Sequence, residues 1–157
     1  MLSKGHKFPD FTLNDQDGKA VSLHDLAGHW AVIFVYPKDD TPGCTVEGKS
    51  FTAHKAEFDA LDVQIYGLSQ DDVASHKEFC NKYDFTISLL ADPEATLLTA
   101  TGIGQTEHGG NHYWDRTSFL LDPHGMVRKV YDKVDPDGHE QDVLADVKSM
   151  QAATHAV

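Results

Sequence analysis

The sequence has no apolar run near the roughly twenty residues that a membrane-crossing helix needs. Its opening, Met1-Leu2-Ser3-Lys4-Gly5-His6-Lys7, does not supply the apolar core of a secretion signal. Positive charge is scarce: 13 Lys and Arg stand against 25 Asp and Glu, a formal net charge of −12 with ten histidines neutral. The basic residues form no run, so nucleic acid and anionic membrane are excluded as expected partners. Cysteine is nearly absent, with two in 157 residues. In a chain expected to be cytoplasmic, two cysteines indicate thiol chemistry or burial before they indicate a structural bridge. No internal repeat, low-complexity tract or linker-like stretch interrupts the chain. Residues 1–157 therefore read as one soluble domain, long enough to bury roughly 70% of its unfolded surface without a staple.

What is present is the pattern of an α/β domain. Lys7 to Leu13 and Val21 to Leu23 read as strands of a hairpin joined across Asp15-Gln16-Asp17-Gly18. The continuous apolar run Ala31 to Tyr36 predicts a central strand buried on both faces, ended by Pro37. A helix from Pro42 to Ala60, a strand from Val63 to Leu68 and a helix from Asp72 to Tyr83 follow, an order that implies parallel pairing. After a shorter helix from Glu94 to Thr101 comes a stretch rich in Gly and His, read as irregular. Thr117 to Leu121 and Val127 to Tyr131 flank Asp122-Pro123-His124-Gly125 as a second hairpin. A last helix carries Val143, Leu144, Val147 and Met150 at helical spacing. The expected architecture is a mixed central sheet with helices on both faces.

Cys44 stands out by its position. Pro42 suits the first helical residue, making Thr41 the N-cap and placing Cys44 in the first turn. Free N–H groups and the positive end of the helix dipole there favour thiolate over thiol. Cys44, Phe51 and Phe58 are seven residues apart, so the sulfur belongs to the apolar side of the helix, at the floor of a pocket. The alternative is a small buried hydrophobe, but the Thr-Pro-Gly-Cys context favours a reactive thiol. Arg116, one of only two arginines, leads into a strand of apolar residues and needs a partner there; a surface ion pair is the plain alternative.

The segment Tyr36-Pro37-Lys38-Asp39-Asp40-Thr41-Pro42-Gly43-Cys44-Thr45 resembles the active-site motif of the peroxiredoxins, Pro-x-x-x-Thr-x-x-Cys. With Glu47 three residues on, its wording is similar to the bacterioferritin-comigratory or peroxiredoxin Q subfamily. The likeness extends to Pro9-Asp10-Phe11, Gly67-Leu68-Ser69, His76-Lys77 and Arg116 through Asp122, nearly the whole chain. The resemblance implies a thioredoxin-like fold and thiol-dependent reduction of hydrogen peroxide or organic hydroperoxides. It implies Cys44 as peroxidatic cysteine, Thr41 as the hydroxyl that binds peroxide, Pro37 as the shield of the pocket and Arg116 as the cation beside the sulfur. It implies no prosthetic group or metal, a thioredoxin-like or glutaredoxin-like reductant, and a monomer.

One departure matters. Many members of the subfamily carry a resolving cysteine five residues after the first, where this chain has Lys49. Resolution then falls to an outside thiol or to Cys80 on the next helix, the branch favoured here, while a packed structural Cys80 remains the alternative. Two cysteines on separate helices rarely lie within the roughly 7 Å between Cα atoms that a disulfide needs, so local unwinding is expected. Gly43 and Gly48 bracket Cys44, and Gly costs about 1 kcal/mol relative to Ala inside a helix, which makes this end the expected place to unwind and Gly48→Ala an expected stabiliser. The pairs His76 with Cys80 and His108 with His112 invite a metal reading, but solvated histidines account for them better. Asp39-Asp40 and Asp71-Asp72 read as dipole partners of helix starts. Two rival functions are a disulfide oxidoreductase, which ordinarily needs a Cys-x-x-Cys that Glu47 denies here, and a non-enzymatic redox sensor or metal-binding module.

Overall fold

The computed structural model describes residues 1–155. Its strands are β1 (Thr12–Asn14), β2 (Ala20–Ser22), β3 (Trp30–Val35), β4 (Val63–Ser69), β5 (Ser88–Ala91), β6 (Gln105–His108), β7 (Asn111–Trp114), β8 (Thr117–Leu121) and β9 (Val127–Tyr131). Its helices are α1 (Leu23–Leu26), α2 (Pro42–Ala53), α3 (Lys55–Ala60), α4 (Val73–Tyr83), α5 (Thr96–Thr101) and α6 (His139–His155). Seven strands form one mixed sheet in the order β2-β1-β5-β4-β3-β8-β9, with β3 parallel to β4, β4 parallel to β5, and β3 antiparallel to β8.

The apolar run of β3 is buried along its whole length because both faces of the sheet are covered. Trp30, Val32 and Phe34 join the core that Phe51, Phe58, Phe79 and Val143 bring from α2, α3, α4 and α6. Ala31, Ile33 and Val35 join the opposite core, built with Leu26 of α1 and Leu97 and Leu98 of α5. Val143 and Val147 of α6 are buried, as their spacing predicts, and Met150 packs against their core.

Several elements depart from the sequence reading. The first hairpin is shorter: Pro9 has no N–H to give a ladder, and Phe8 is drawn into the core while its backbone bonds to Gly125. Ser22 and Asp25 form a reciprocal cap that turns the expected strand end at Leu23 into α1. The helix expected over residues 42–60 is broken at His54, whose N–H still reaches Ser50 O; Phe51 and Phe58 nevertheless meet in one core, ring centroids 5.8 Å apart. β5 carries no strand signature of its own, since its four residues are ordered by their place beside β4. The stretch read as irregular holds the hairpin β6–β7, turning on Gly109 and Gly110, both at positive φ, the two-residue turn that a Gly-Gly pair permits.

Candidate active site

β3 delivers its C-terminal end directly to the loop 36–41, and Pro42 starts α2 with Thr41 as its N-cap residue. Cys44 therefore lies in the first turn, where backbone N–H groups have no carbonyl one turn back. It is buried, 1% exposed, in the core that also holds Phe51 and Phe58. The antiparallel register pairs Val35 with Thr117, which sets Arg116 beside the loop entering α2. Arg116 Nη2 donates to Cys44 Sγ at 3.5 Å and Nη1 donates to Glu47 Oε1 at 2.8 Å. The partner that the arginine needs is thus the sulfur and a buried carboxyl one turn along α2, not a surface acid.

The close approach depends on a glycine. A Cβ at Gly43 would stand 2.8 Å from Arg116 Nη2, so any other residue there would push the guanidinium away from the helix start. Burial works against the charge on Arg116, but the neighbouring Cys44 and Glu47 outweigh it and raise its pKa. Burial also drives Glu47 from 4.5 to about 7, against the pull of Arg116 and with a further push from the Glu140 carboxyl. One oxygen of each of these two carboxyls is buried without a hydrogen-bond partner.

Thr41 occupies the cap position without capping. Its hydroxyl donates to Lys38 O at 2.9 Å, which leaves the oxygen's lone pairs as acceptors. Pro37, Thr41 and Arg116 line a cavity of about 420 Å³ whose far wall is Tyr113 and Trp114, from the hairpin β6–β7. The sequence reading missed that wall. The Gly-Gly pair between alternating residues was its available signal.

Cys80 is also buried and lies in the same core cluster as Cys44, on α4; both cysteines are free. Burial, helped by Asp39 and Asp17, pushes the Cys80 thiol up to about 12, so it is a neutral thiol in this state. The solvated reading of His76 is wrong. The ring is fully buried, because Asp39 and the Leu90 carbonyl satisfy its two nitrogens inside the fold. His108 and His112 are exposed, on β6 and β7. Asp72 caps α4 through Ser75 N, as a residue at a helix start should, and the other three carboxylates are held by further partners. Asp71 accepts from Asp39 N and the Ser69 hydroxyl, Asp40 binds Lys82 and Tyr83, and Asp39 is buried. Asp39, Asp71 and His76 bring three atoms able to ligate a metal within 4.8 Å of one another, but these hydrogen bonds already account for them. Among the described residues no helix is long and apolar enough to cross a membrane.

A family model described as the AhpC/TSA family matches residues 4–130. Peroxiredoxin Bcp of Xanthomonas campestris pv. campestris is 40% identical over 146 residues, 89% of this chain and 89% of that protein. A solved structure of Xanthomonas campestris peroxiredoxin Q superposes with a TM-score of 0.85 at 38% identity, covering 95% of this chain and 96% of the other. A structure of Xanthomonas campestris bacterioferritin comigratory protein, solved as a trapped intermediate and ligand complex to explain alkyl peroxide reduction, has a TM-score of 0.85 at 37% identity over 96% of this chain and 97% of its own.

Proposed function

The chain belongs to the AhpC/TSA family and is a thiol peroxidase of the peroxiredoxin Q kind with a thioredoxin-like fold, and from that premise we propose that Cys44 attacks the peroxide and Cys80 resolves the product. The observation that carries this reading is the contact of Arg116 with both Cys44 Sγ and the buried Glu47 at the head of α2.

The Cys44 thiolate attacks one peroxide oxygen and the O–O bond breaks. Two electrons pass from sulfur to peroxide, the sulfur keeps one oxygen as sulfenic acid, and the other leaves as water or alcohol after taking a proton. Negative charge grows on the departing oxygen, where Arg116 and the first-turn N–H groups supply fixed positive charge. The Thr41 hydroxyl, already donating to Lys38 O, accepts the peroxide O–H. Pro37 shields the site. In the second step the Cys80 sulfur attacks the sulfenic sulfur, an S–S bond forms and water leaves. A neutral thiol inside the core is a poor nucleophile, so the head of α2 unwinds and Cys80 leaves its packed position for this step. A thioredoxin-like or glutaredoxin-like dithiol then reduces the disulfide.

The Tyr113 and Trp114 wall suits organic hydroperoxides as well as hydrogen peroxide. No metal or prosthetic group enters the scheme, and residues 1–157 act as one domain, as a monomer, in the cytoplasm. The test is a non-reducing mass spectrum of intact protein after peroxide. Wild type is expected to lose two hydrogens, Cys80→Ser to gain one oxygen, and Cys44→Ser to stay unmodified and inactive. A peroxide-competent Cys44→Ser variant would overturn the assignment.

A further inference from the structure

Two ties fasten the loop that carries Pro37 and Thr41 to α4, and they reach that helix on either side of Cys80. The outer tie is exposed: Asp40 accepts from Lys82 Nζ and the Tyr83 hydroxyl, each at 2.7 Å. Exposed contacts of this type hold weakly. The inner tie is buried. Asp39 accepts from the Tyr36 hydroxyl at 2.6 Å on one oxygen, and on the other from the Ser75 hydroxyl at 2.8 Å and His76 Nδ1 at 2.7 Å. The remaining ring nitrogen of His76, Nε2, meets the Leu90 carbonyl at 2.9 Å. A carbonyl only accepts, so Nε2 carries a hydrogen, and at 2.7 Å a single proton lies between Nδ1 and the Asp39 carboxyl. His76 is wholly buried and bonded at both ends, so breaking its bond to Asp39 leaves polar groups unpaired inside the fold.

The position of this bond gives it a part in the cycle. Asp39 lies between Pro37 and Thr41, and His76 lies one turn ahead of Cys80 on the same face of α4. The closed bond therefore fixes the peroxide-binding loop and keeps Cys80 packed, whereas disulfide formation requires the loop, the head of α2 and α4 to separate. We propose that His76 is a positioning residue of the peroxidase cycle, holding the loop through Asp39 during peroxide attack and releasing it to let the Cys44–Cys80 disulfide form. The inference rests on Cys44 as attacking and Cys80 as resolving cysteine. It assigns to a buried histidine and aspartate the timing between the two steps.

The consequence is a pair of rate changes of opposite sign. Loss of the bond should slow attack, because the loop is no longer fixed, and speed resolution, because the state that opposes it is weakened. His76→Gln keeps a donor near Nε2, toward Leu90, and loses the one aimed at Asp39; His76→Asn does the reverse. Ser75→Ala removes one donor from Asp39 at a partly exposed position with no change to the ring. Rapid-quench mass spectrometry after peroxide addition resolves sulfenic acid and disulfide in one time course.

His76→Gln is expected to form sulfenic acid about tenfold more slowly and disulfide about tenfold faster, the order of effect of one buried hydrogen bond. His76→Asn is expected within about threefold of wild type in both steps, and Ser75→Ala to follow His76→Gln in both directions by a smaller factor. Equal behaviour of the two His76 variants, or both steps slowing together, would overturn the proposal. If His76→Gln does not fold, Ser75→Ala decides alone: opposite changes support the proposal, and parallel or absent changes overturn it. A wild type that never forms the disulfide would instead overturn the resolving role of Cys80.

Discussion

At the scale of single residues, the site turns on how one guanidinium divides its donors. Arg116 gives one nitrogen to Cys44 and another to Glu47, so the carboxyl fixes the plane of the cation while the cation serves the sulfur. Arg116→Ala removes the charge that faces the departing oxygen. Losing one such donor commonly slows chemistry on the order of a hundredfold to a thousandfold, and that is the expected fall in the rate of Cys44 oxidation, measured by competition with a peroxidase of known rate. The disulfide-forming step should change far less, since it takes place after the sulfur leaves this contact. An unchanged oxidation rate would reduce Arg116 to a packing role.

At the scale of elements, α2 combines a reactive head with a tightly fitted middle. Gly48 was expected to be a soft point, and Gly48→Ala a stabiliser. Packing reverses that expectation. The Phe85 ring lies where a Cβ at residue 48 would be, 2.4 Å away, so the glycine is a notch that admits the ring. Gly48→Ala should therefore destabilise the protein by about 1–3 kcal/mol, the usual cost of overpacking, read from the midpoint of urea unfolding at unchanged slope. The head of the helix is a separate matter. Oxidation to the disulfide should remove amide-exchange protection from residues 44–50 while β3, buried on both sides, and β4, paired on both edges, keep theirs. Equal protection in the reduced and oxidised protein would argue against unwinding.

At the scale of the molecule, two buried groups give opposite pH dependence to stability. Glu47 titrates near 7 in the fold and 4.5 as its ordinary value, so the folded state holds a proton there that the unfolded chain releases. Its contribution is full below pH 4.5 and is lost as pH rises through 7, about 3 kcal/mol in all. His139 is driven from 6.5 to about 4, chiefly by burial, with Arg116 acting in the same direction against Asp142. Its contribution is full above pH 6.5 and is lost as pH falls through 4, again about 3 kcal/mol. Between pH 4.5 and 6.5 the two nearly cancel. Denaturation across that window should show stability rising with pH in Glu47→Gln and falling with pH in His139→Gln, each relative to wild type. Parallel slopes in all three proteins would refute this account.

The same division separates what could be read along the chain from what could not. Local chemistry was legible: Thr41 and Pro42 start α2, the apolar run gives β3, the seven-residue spacing puts Cys44 with Phe51 and Phe58, and the motif around Cys44 named the peroxide chemistry. Each of these depends on neighbours within a few turns or on direct resemblance. Arg116 was suspected, yet its partner Glu47 lies 69 residues away and is joined to it only by the pairing of β3 with β8. The burial of His76, the notch at Gly48 and the order of β5 depend likewise on which distant surface arrives against them. Sequence by itself determined where the reactive sulfur sits on its helix and what chemistry it serves. Tertiary structure alone decided which charges surround that sulfur and which glycine is packed rather than pliant, because burial and pairing energies belong to contacts between segments that no local pattern specifies.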